Sequence, residues 1–418
     1  MLNLAIFVRY CIFLPVFAAL FVQPALSADV TLGQLLESAY VKHPSVVQAR
    51  SQAQAAGFEV DAARWGRYPS LSTELRSDTG TTQSIARLEQ PVWNAGKISA
   101  RIALTESNQR VAEAGIQEAE ITALSQAATA FYEALRLRER LKNAVDNVSE
   151  HQRLLALIER RAKAEVTPQA DAILAEARLQ QAVSERIQIN RQLETSLSTL
   201  VQWAGPLTGE LRSPQRIRFL RPTSLSLLND QVFANSGQRK RLMSQIESAE
   251  AQIKVSQSQI YPNLVAGYQH SWRGQVPAGT DRGLAYLSLQ FQSGAGLSSL
   301  SGVQAAVSRK AASQQELESL ERQLTAQAAT SLNELDALQA QIGPAQALEA
   351  GTAEIVDSYL RQYQVGRKNW LDVLNAQREK TQALFSLADA RYGLQLAQVR
   401  LMILTGDILS QPLNNLHD

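Results

Sequence analysis

Chemistry in a protein needs titratable or nucleophilic side chains brought to workable spacings, and this 418-residue chain keeps them apart. His43, His151, His270 and His417 are scattered and show no metal-ligand spacing. The serine-rich stretch Leu297 to Gly302 lacks a nucleophile-elbow pattern, and no glycine loop that would cradle a phosphate occurs. No catalytic residue, metal site or cofactor is expected, and the chain does not read as an enzyme. Two carboxylates stand out by placement. Thr167-Pro168 and Asn369-Trp370 read as helix starts, with Thr167 or Asn369 as the cap and proline at the first helical position. Asp171 and Asp372 then fall in the first turn, where the helix dipole favours a negative charge by a few tenths of a kcal/mol.

The elements that carry these aspartates are unusually long. Lys97 to Lys163 holds no proline and one glycine, Gly115, and reads as one helix of about 100 Å. Ile121, Leu124, Ala128, Phe131 and Leu135 follow a 3-4-3-4 spacing, resumed after a register break near Arg138 by Leu141, Val145 and Val148. By itself the pattern predicts a long antiparallel coiled coil with a structural role.

The chain is also a tandem duplication. Ala127-Ala128-Thr129 recurs as Ala328-Ala329-Thr330, Asp171 as Asp372 and Gly205 as Gly406, each 201 residues on, whereas Tyr68-Pro69-Ser70-Leu71 recurs as Tyr261-Pro262-Asn263-Leu264 at a separation of 193. The difference sits in a hairpin loop, where Arg273 to Arg282 replaces the shorter Asp78 to Gln83. Each copy reads as a helix ending at Tyr-Pro, two strands, a very long helix, a sharp turn and a second helix ending at glycine. In the strands, Leu71, Thr73 and Leu75 alternate with Ser72, Glu74 and Arg76, and Leu264, Ala266, Tyr268 and Trp272 alternate with Val265, Gly267, Gln269 and Ser271. Such two-faced strands approach the length that crosses an outer membrane, roughly 9 to 11 residues. Four of them cannot close a barrel, so several chains would have to pool theirs.

Residues 1–28 read as a cleaved export signal, with Arg9 ahead of the apolar run Tyr10 to Val22 and small residues at Ala25, Ser27 and Ala28. The sole cysteine, Cys11, lies inside it without a lipoprotein box, so no disulfide or acyl anchor is expected. A formal charge of +2 gives no electrostatic case for nucleic acid. The domain plan that follows is 29–205 for the first repeat, 206–236 for a linker rich in Pro206, Pro214 and Pro222, 237–406 for the second repeat and 407–418 for a tail. Within it lie strand pairs at about 70–92 and 263–292, long helices 97–163 and 297–365, and partner helices 168–203 and 370–405.

The signal, the duplicated plan, the Tyr-Pro-x-Leu junctions, the segment Leu88-Glu89-Gln90-Pro91-Val92-Trp93-Asn94-Ala95-Gly96 and the turn Tyr363-Gln364-Val365-Gly366 together resemble the TolC family of outer-membrane efflux and type I secretion channels. The resemblance implies a mainly α fold with a small β-barrel portion. Three protomers would share a twelve-stranded barrel in outer-membrane lipid, continued through the periplasm by a trimeric α-helical barrel of long coiled-coil hairpins, with 206–236 in an equatorial belt. The implied function is a passive exit duct, with a periplasmic membrane-fusion adaptor and an ABC or proton-driven inner-membrane pump as partners. The implied periplasmic gate is Asp171, Tyr363, Arg367, Lys368 and Asp372, in which Tyr363 and a basic residue tie to Asp171 while Asp372 narrows the aperture. Lys368 replaces the usual arginine, with Arg367 beside it, and Asn375 stands where a second aspartate is usual. The adaptor-contacting tips would be Glu165 and Val166 on the first hairpin and Val365 and Gly366 on the second, Gly366 supplying a positive φ. A periplasmic adaptor and a non-conducting periplasmic scaffold are the rival readings.

Overall fold

The computed structural model describes residues 30–78, 81–207, 209–214, 219–273, 282–291 and 298–410. The export-signal reading, Cys11, His417 and most of the longer hairpin loop lie outside them.

Two helices of equal length dominate, α3 (Lys97–Lys163) and α7 (Ser298–Gln364), each 67 residues. Each turns back at its far end into a 36-residue helix, α4 (Gln169–Ala204) or α8 (Trp370–Thr405). Ahead of them lie α1 (Leu32–Lys42) and α2 (Pro44–Trp65) in the first copy, and α5 (Leu225–Asn235) and α6 (Gly237–Ser258) in the second. The repeat holds at the level of element ends: α1 and α2 become α5 and α6 on adding 193, and α3 and α4 become α7 and α8 on adding 201. Thus α5, inside the segment read as a linker, is the counterpart of α1. The coiled-coil interruption near Arg138 does not break α3. There α3 turns a basic side chain to the segment that follows α4 instead: Arg138 Nη1 donates to the Leu211 carbonyl at 3.0 Å and Nη2 pairs with Glu210. Leu211 belongs to β4 (Leu211–Arg212), which pairs in parallel with β1 (Val30–Thr31).

The remaining strands, β2 (Ser70–Asp78), β3 (Thr81–Trp93), β5 (Asn263–Arg273) and β6 (Arg282–Gln290), form one antiparallel sheet in that order. Its register puts Leu71, Leu88, Tyr268 and Ala285 in one row across all four strands, and the leucines and Tyr268 are exposed. The opposite face is polar: Arg87 donates to Gln269 Oε1, and the Tyr286 hydroxyl donates to Glu89 at 2.5 Å. Tyr286 lies across Gly267, where a Cβ would meet its ring at 2.3 Å, so a larger residue there would have to displace the tyrosine side chain from this polar face. A bulge between Pro91 and Trp93 shifts the register just before the last pair, Trp93 with Leu264, where β3 leads to α3. No described helix is long and apolar enough to cross a membrane.

The main core sits at mid-length, where α1 (Leu32, Leu36), α3 (Leu124, Phe131, Leu135), the end of α4 (Leu200) and the end of α8 (Met402, Ile403) meet. Its counterpart joins α5, α6, α7 and α8 through Leu228, Leu242, Leu324 and Leu401. These two clusters fix the level from which both hairpins project.

Candidate functional site at the hairpin tips

Beyond the mid-length core, the hairpins meet along a seam between α3 and α8. Arg136 bridges Glu133 of its own helix and Asp389 of α8, with its Nη1 to Oδ1 contact at 2.7 Å. Further down, Asn147 Oδ1 accepts from Gln377 Nε2 at 3.0 Å and from the Thr381 hydroxyl at 2.8 Å, all three residues being buried. A cavity of about 190 Å³ opens beside them, lined by His151, Arg178 and Phe385 among others. Burial pushes the His151 imidazole below its ordinary value, and the charge of Arg178 adds to this against the opposing charge of Glu150. The unfolded chain therefore binds the extra proton more readily, and stability is lost as pH falls below about 6.5. Thermal midpoints measured in detergent from pH 7.5 to 5.5 should fall, and His151→Gln should flatten that slope; an equal slope in the variant would remove His151 from the effect.

At the tip the seam closes on an apolar cluster: Leu154 and Ile158 of α3, Ala172 and Ala175 of α4, Tyr363 of α7, and Trp370, Val373 and Leu374 of α8. Tyr363 is buried, its ring 5.1 Å from that of Trp370, and the Arg161 guanidinium lies 5.1 Å from its centroid. Burial raises the Tyr363 phenol above its ordinary value; Arg161 opposes this and the Asp171 carboxylate adds to it. Of the residues singled out by sequence, Asp171 thus lies near enough for its charge to act on Tyr363, at the start of α4, whose Ala172 joins the same cluster. Lys368 is not brought to Asp171 within the protomer. Lying in the turn just before α8, its ammonium sits 3.8 Å from Asp372 in the first turn of that helix and 4.1 Å from the centroid of the Tyr359 ring. Arg367 is exposed. Arg161 and Trp370 were missed as site residues, because the pattern that found the core of α3 passes over a guanidinium packed flat on a ring.

The two helix starts differ from each other. Asp372 Oδ2 accepts from the Asn369 backbone N–H at 3.3 Å, so the second start is tied back by its own carboxylate. At the first, Thr167 does not cap. Pro168 itself occupies the extended cap position and α4 begins one residue later, so the buried Thr167 hydroxyl lies near that of Tyr363, and neither makes a hydrogen bond of normal geometry among the described residues.

Both turns end in the same left-handed motif. Val166 N–H bonds the Arg161 carbonyl at 2.9 Å, and Arg367 N–H bonds the Gln362 carbonyl at 2.9 Å. The residue between must take a positive φ. In the second tip that is Gly366 at +76°; in the first it is Glu165 at +59°. Glu165→Gly should therefore stabilise the first tip by about 1 kcal/mol, and Gly366→Ala should destabilise the second by a similar amount. Limited proteolysis at each tip reads both changes, and opposite signs are expected. Val166 and Val365 project into solvent beside these residues.

Comparison with known proteins agrees with this architecture. By fold, the chain is similar to a membrane protein from Pseudomonas aeruginosa (TM-score 0.79, 18% identity, 91% of this chain and 93% of that one) and to the CmeC outer membrane channel of Campylobacter jejuni (TM-score 0.77, 12% identity, 90% and 85%). By sequence it is 26% identical over 346 residues to the pyoverdine export outer membrane protein OpmQ of Pseudomonas aeruginosa, across 78% of this chain and 70% of that protein. The family model for outer membrane efflux proteins matches residues 35–206 and 231–407, one match to each repeat. The chain therefore belongs to the outer membrane efflux protein family, whose members are outer-membrane channels extending into the periplasm.

Proposed function

We propose that three copies of this chain pool their four-stranded sheets into a twelve-stranded barrel and serve as the passive exit duct of a tripartite efflux or type I secretion assembly. The observation that carries this is the open sheet. Its order leaves β2 and β6 as edges, while one face presents a row of exposed leucines and aromatics. In hydrocarbon each unpaired backbone group costs several kcal/mol, so such a sheet persists only when its edges are paired. A periplasmic scaffold or adaptor would leave that apolar row without a partner.

In this reading the tip cluster is the periplasmic gate. Tyr363 and Trp370 hold the second hairpin against Arg161 and Asp171 of the first, Lys368 and Arg367 add positive charge, and Asp372 faces the aperture. Exposed Val166 and Val365, beside Glu165 and Gly366, offer the contact for a periplasmic adaptor, with an inner-membrane pump beyond supplying the energy. The lumen-side polarity of Arg87, Glu89 and Gln269 suits passage of hydrated cargo.

Fractionation with and without detergent, followed by amine crosslinking, tests the assembly: detergent-dependent extraction and a covalent trimer are expected, and a monomer soluble without detergent would contradict it. Asp372→Ala should weaken block of the channel by multivalent cations several-fold. Unchanged block would remove Asp372 from the aperture.

A further inference from the structure

The duplication separates the side chains that helix packing requires from those it does not. Around the cavity of about 190 Å³ between α3, α4 and α8, the packing positions repeat 201 residues on: Ala182 and Ala383 are both buried, and Gln181 recurs as Gln382. The cationic positions do not repeat. Arg178 of α4 corresponds to Glu379, Arg378 of α8 to Ala177, and His151 of α3 to Thr352. Thr352 is buried and satisfies itself, its hydroxyl donating to the Leu348 and Glu349 carbonyls at 2.8 and 3.0 Å. His151 is equally buried, at 6% exposure, yet its Nδ1 has no hydrogen-bond partner among the described residues. A buried ring nitrogen left unpaired is destabilising, so packing alone does not account for a histidine there.

All three cationic side chains line the same small space, and Glu185 is the one carboxylate that lines it with them. Arg178 donates to Gln181 Oε1 at 2.9 Å, and among the described residues neither arginine forms an ion pair. Nor, among those residues, does any hydrogen bond or ion pair join α4 to α8, although both helices line the cavity.

We propose that this cavity binds a small divalent oxyanion, sulfate or phosphate, held by the guanidiniums of Arg178 and Arg378 with His151 as a third donor. Forked N–H donors from two different helices match the oxygens of a tetrahedral anion. The volume admits such an ion and falls below the roughly 300–1,000 Å³ of pockets for drug-sized ligands. Bound there, the ion ties α4 of the first hairpin to α8 of the second, a polar link that the chain's own side chains do not make. Every lining residue belongs to one chain, so binding does not depend on assembly. The imidazole makes the binding respond to pH. The charged groups around it are Glu150 and Arg153 on α3, Arg178 and Glu185 on α4, and Arg378 and Lys380 on α8. Carboxylate, ammonium and guanidinium groups ordinarily keep one charge between about pH 6 and 7.5, which leaves the imidazole to respond. An anion beside the ring favours imidazolium, so binding takes up a proton and tightens as pH falls.

Calorimetric titration of the full chain in detergent with sodium sulfate, whose charge is constant over this range, tests the site, with sodium chloride at equal ionic strength as the control for screening. Sulfate should bind and chloride should not. Arg378→Gln should weaken sulfate binding at least about tenfold, and the triple variant His151→Thr, Arg178→Glu, Arg378→Ala, which carries the counterpart residues, should abolish it. Arg378 is exposed, so Arg378→Gln keeps the fold and decides the matter even where the triple variant does not form. In the parent, sulfate should bind several-fold more tightly at about pH 6 than at about pH 7.5, and His151→Thr should remove that difference. No sulfate binding by the parent at millimolar concentration, binding by Arg378→Gln as tight as the parent's, or equal binding of chloride overturns the site; a pH dependence that survives in His151→Thr overturns the role of the imidazole.

Discussion

Trp370→Ala is expected to loosen the periplasmic tips and raise the resting leak through the duct by an order of magnitude or more. The indole is buried at the start of α8, against Tyr363 and beside Val373 and Leu374, where the two hairpins have their last shared apolar cluster. Removing a buried indole costs about 3–5 kcal/mol, with little nearby that can collapse into the void. The polar atoms matter less than the rings. Among the described residues neither the Trp370 indole N–H nor the Tyr363 hydroxyl makes a hydrogen bond of normal geometry, although Arg161 and Thr167 lie near that hydroxyl. Trp370→Phe and Tyr363→Phe should therefore stay within about 1.5 kcal/mol of the parent and keep the tips shut. Leak measured as antibiotic susceptibility, or as open probability in a bilayer, orders the variants. Equal leak from Tyr363→Phe and Trp370→Ala would mean that a hydroxyl bond, not ring packing, holds the closure.

Gly237→Val is expected to be the most damaging substitution for folding. A Cβ at Gly237 would stand 2.5 Å from the Glu118 amide nitrogen and 2.8 Å from the Gln117 carbonyl carbon, backbone atoms of α3 that cannot swing aside. That approach lets α6 lie on α3, with Lys240 to Gln117 at 2.9 Å and the Arg239 to Glu321 pair at 2.8 Å reaching across to α7. Even Gly237→Ala should cost about 1–3 kcal/mol by overpacking, and valine more. Gly115 provides the control. It lies inside α3 with nothing within 4 Å of its would-be Cβ, so Gly115→Ala should stabilise the helix by up to about 1 kcal/mol. Thermal midpoints of the detergent-solubilised protein should move in opposite directions, and a harmless Gly237→Val would refute the close helix approach.

The long helices were legible because nothing in their sequences stops them. The span from Lys97 to Lys163 holds no proline, and Gly96 at φ +80° opens it. Pro344 inside α7 is the exception, and α7 runs through it to the same length. The strands were legible through alternation, which the register converts into one apolar and one polar face. Less could be read at the tips. The repeat aligns Glu165 with Gly366, yet only glycine advertises a positive φ, so the left-handed turn at Glu165 shows only through its hydrogen bonds. Likewise Thr167 has the residue type of a cap, but the extended Pro168 takes that position and turns the hydroxyl inward. Contacts between hairpins, such as Arg161 on Tyr363 and Asn147 with Gln377 and Thr381, join residues more than 200 positions apart, and no local pattern encodes them.

The sheet's open edges are the root of the functional account, and conductance tests them most directly. Detergent-purified protein, checked for its covalent trimer by crosslinking, should insert into a planar lipid bilayer and pass ions in uniform steps that Trp370→Ala makes more frequent. Monomeric material that leaves the bilayer insulating would contradict the shared barrel.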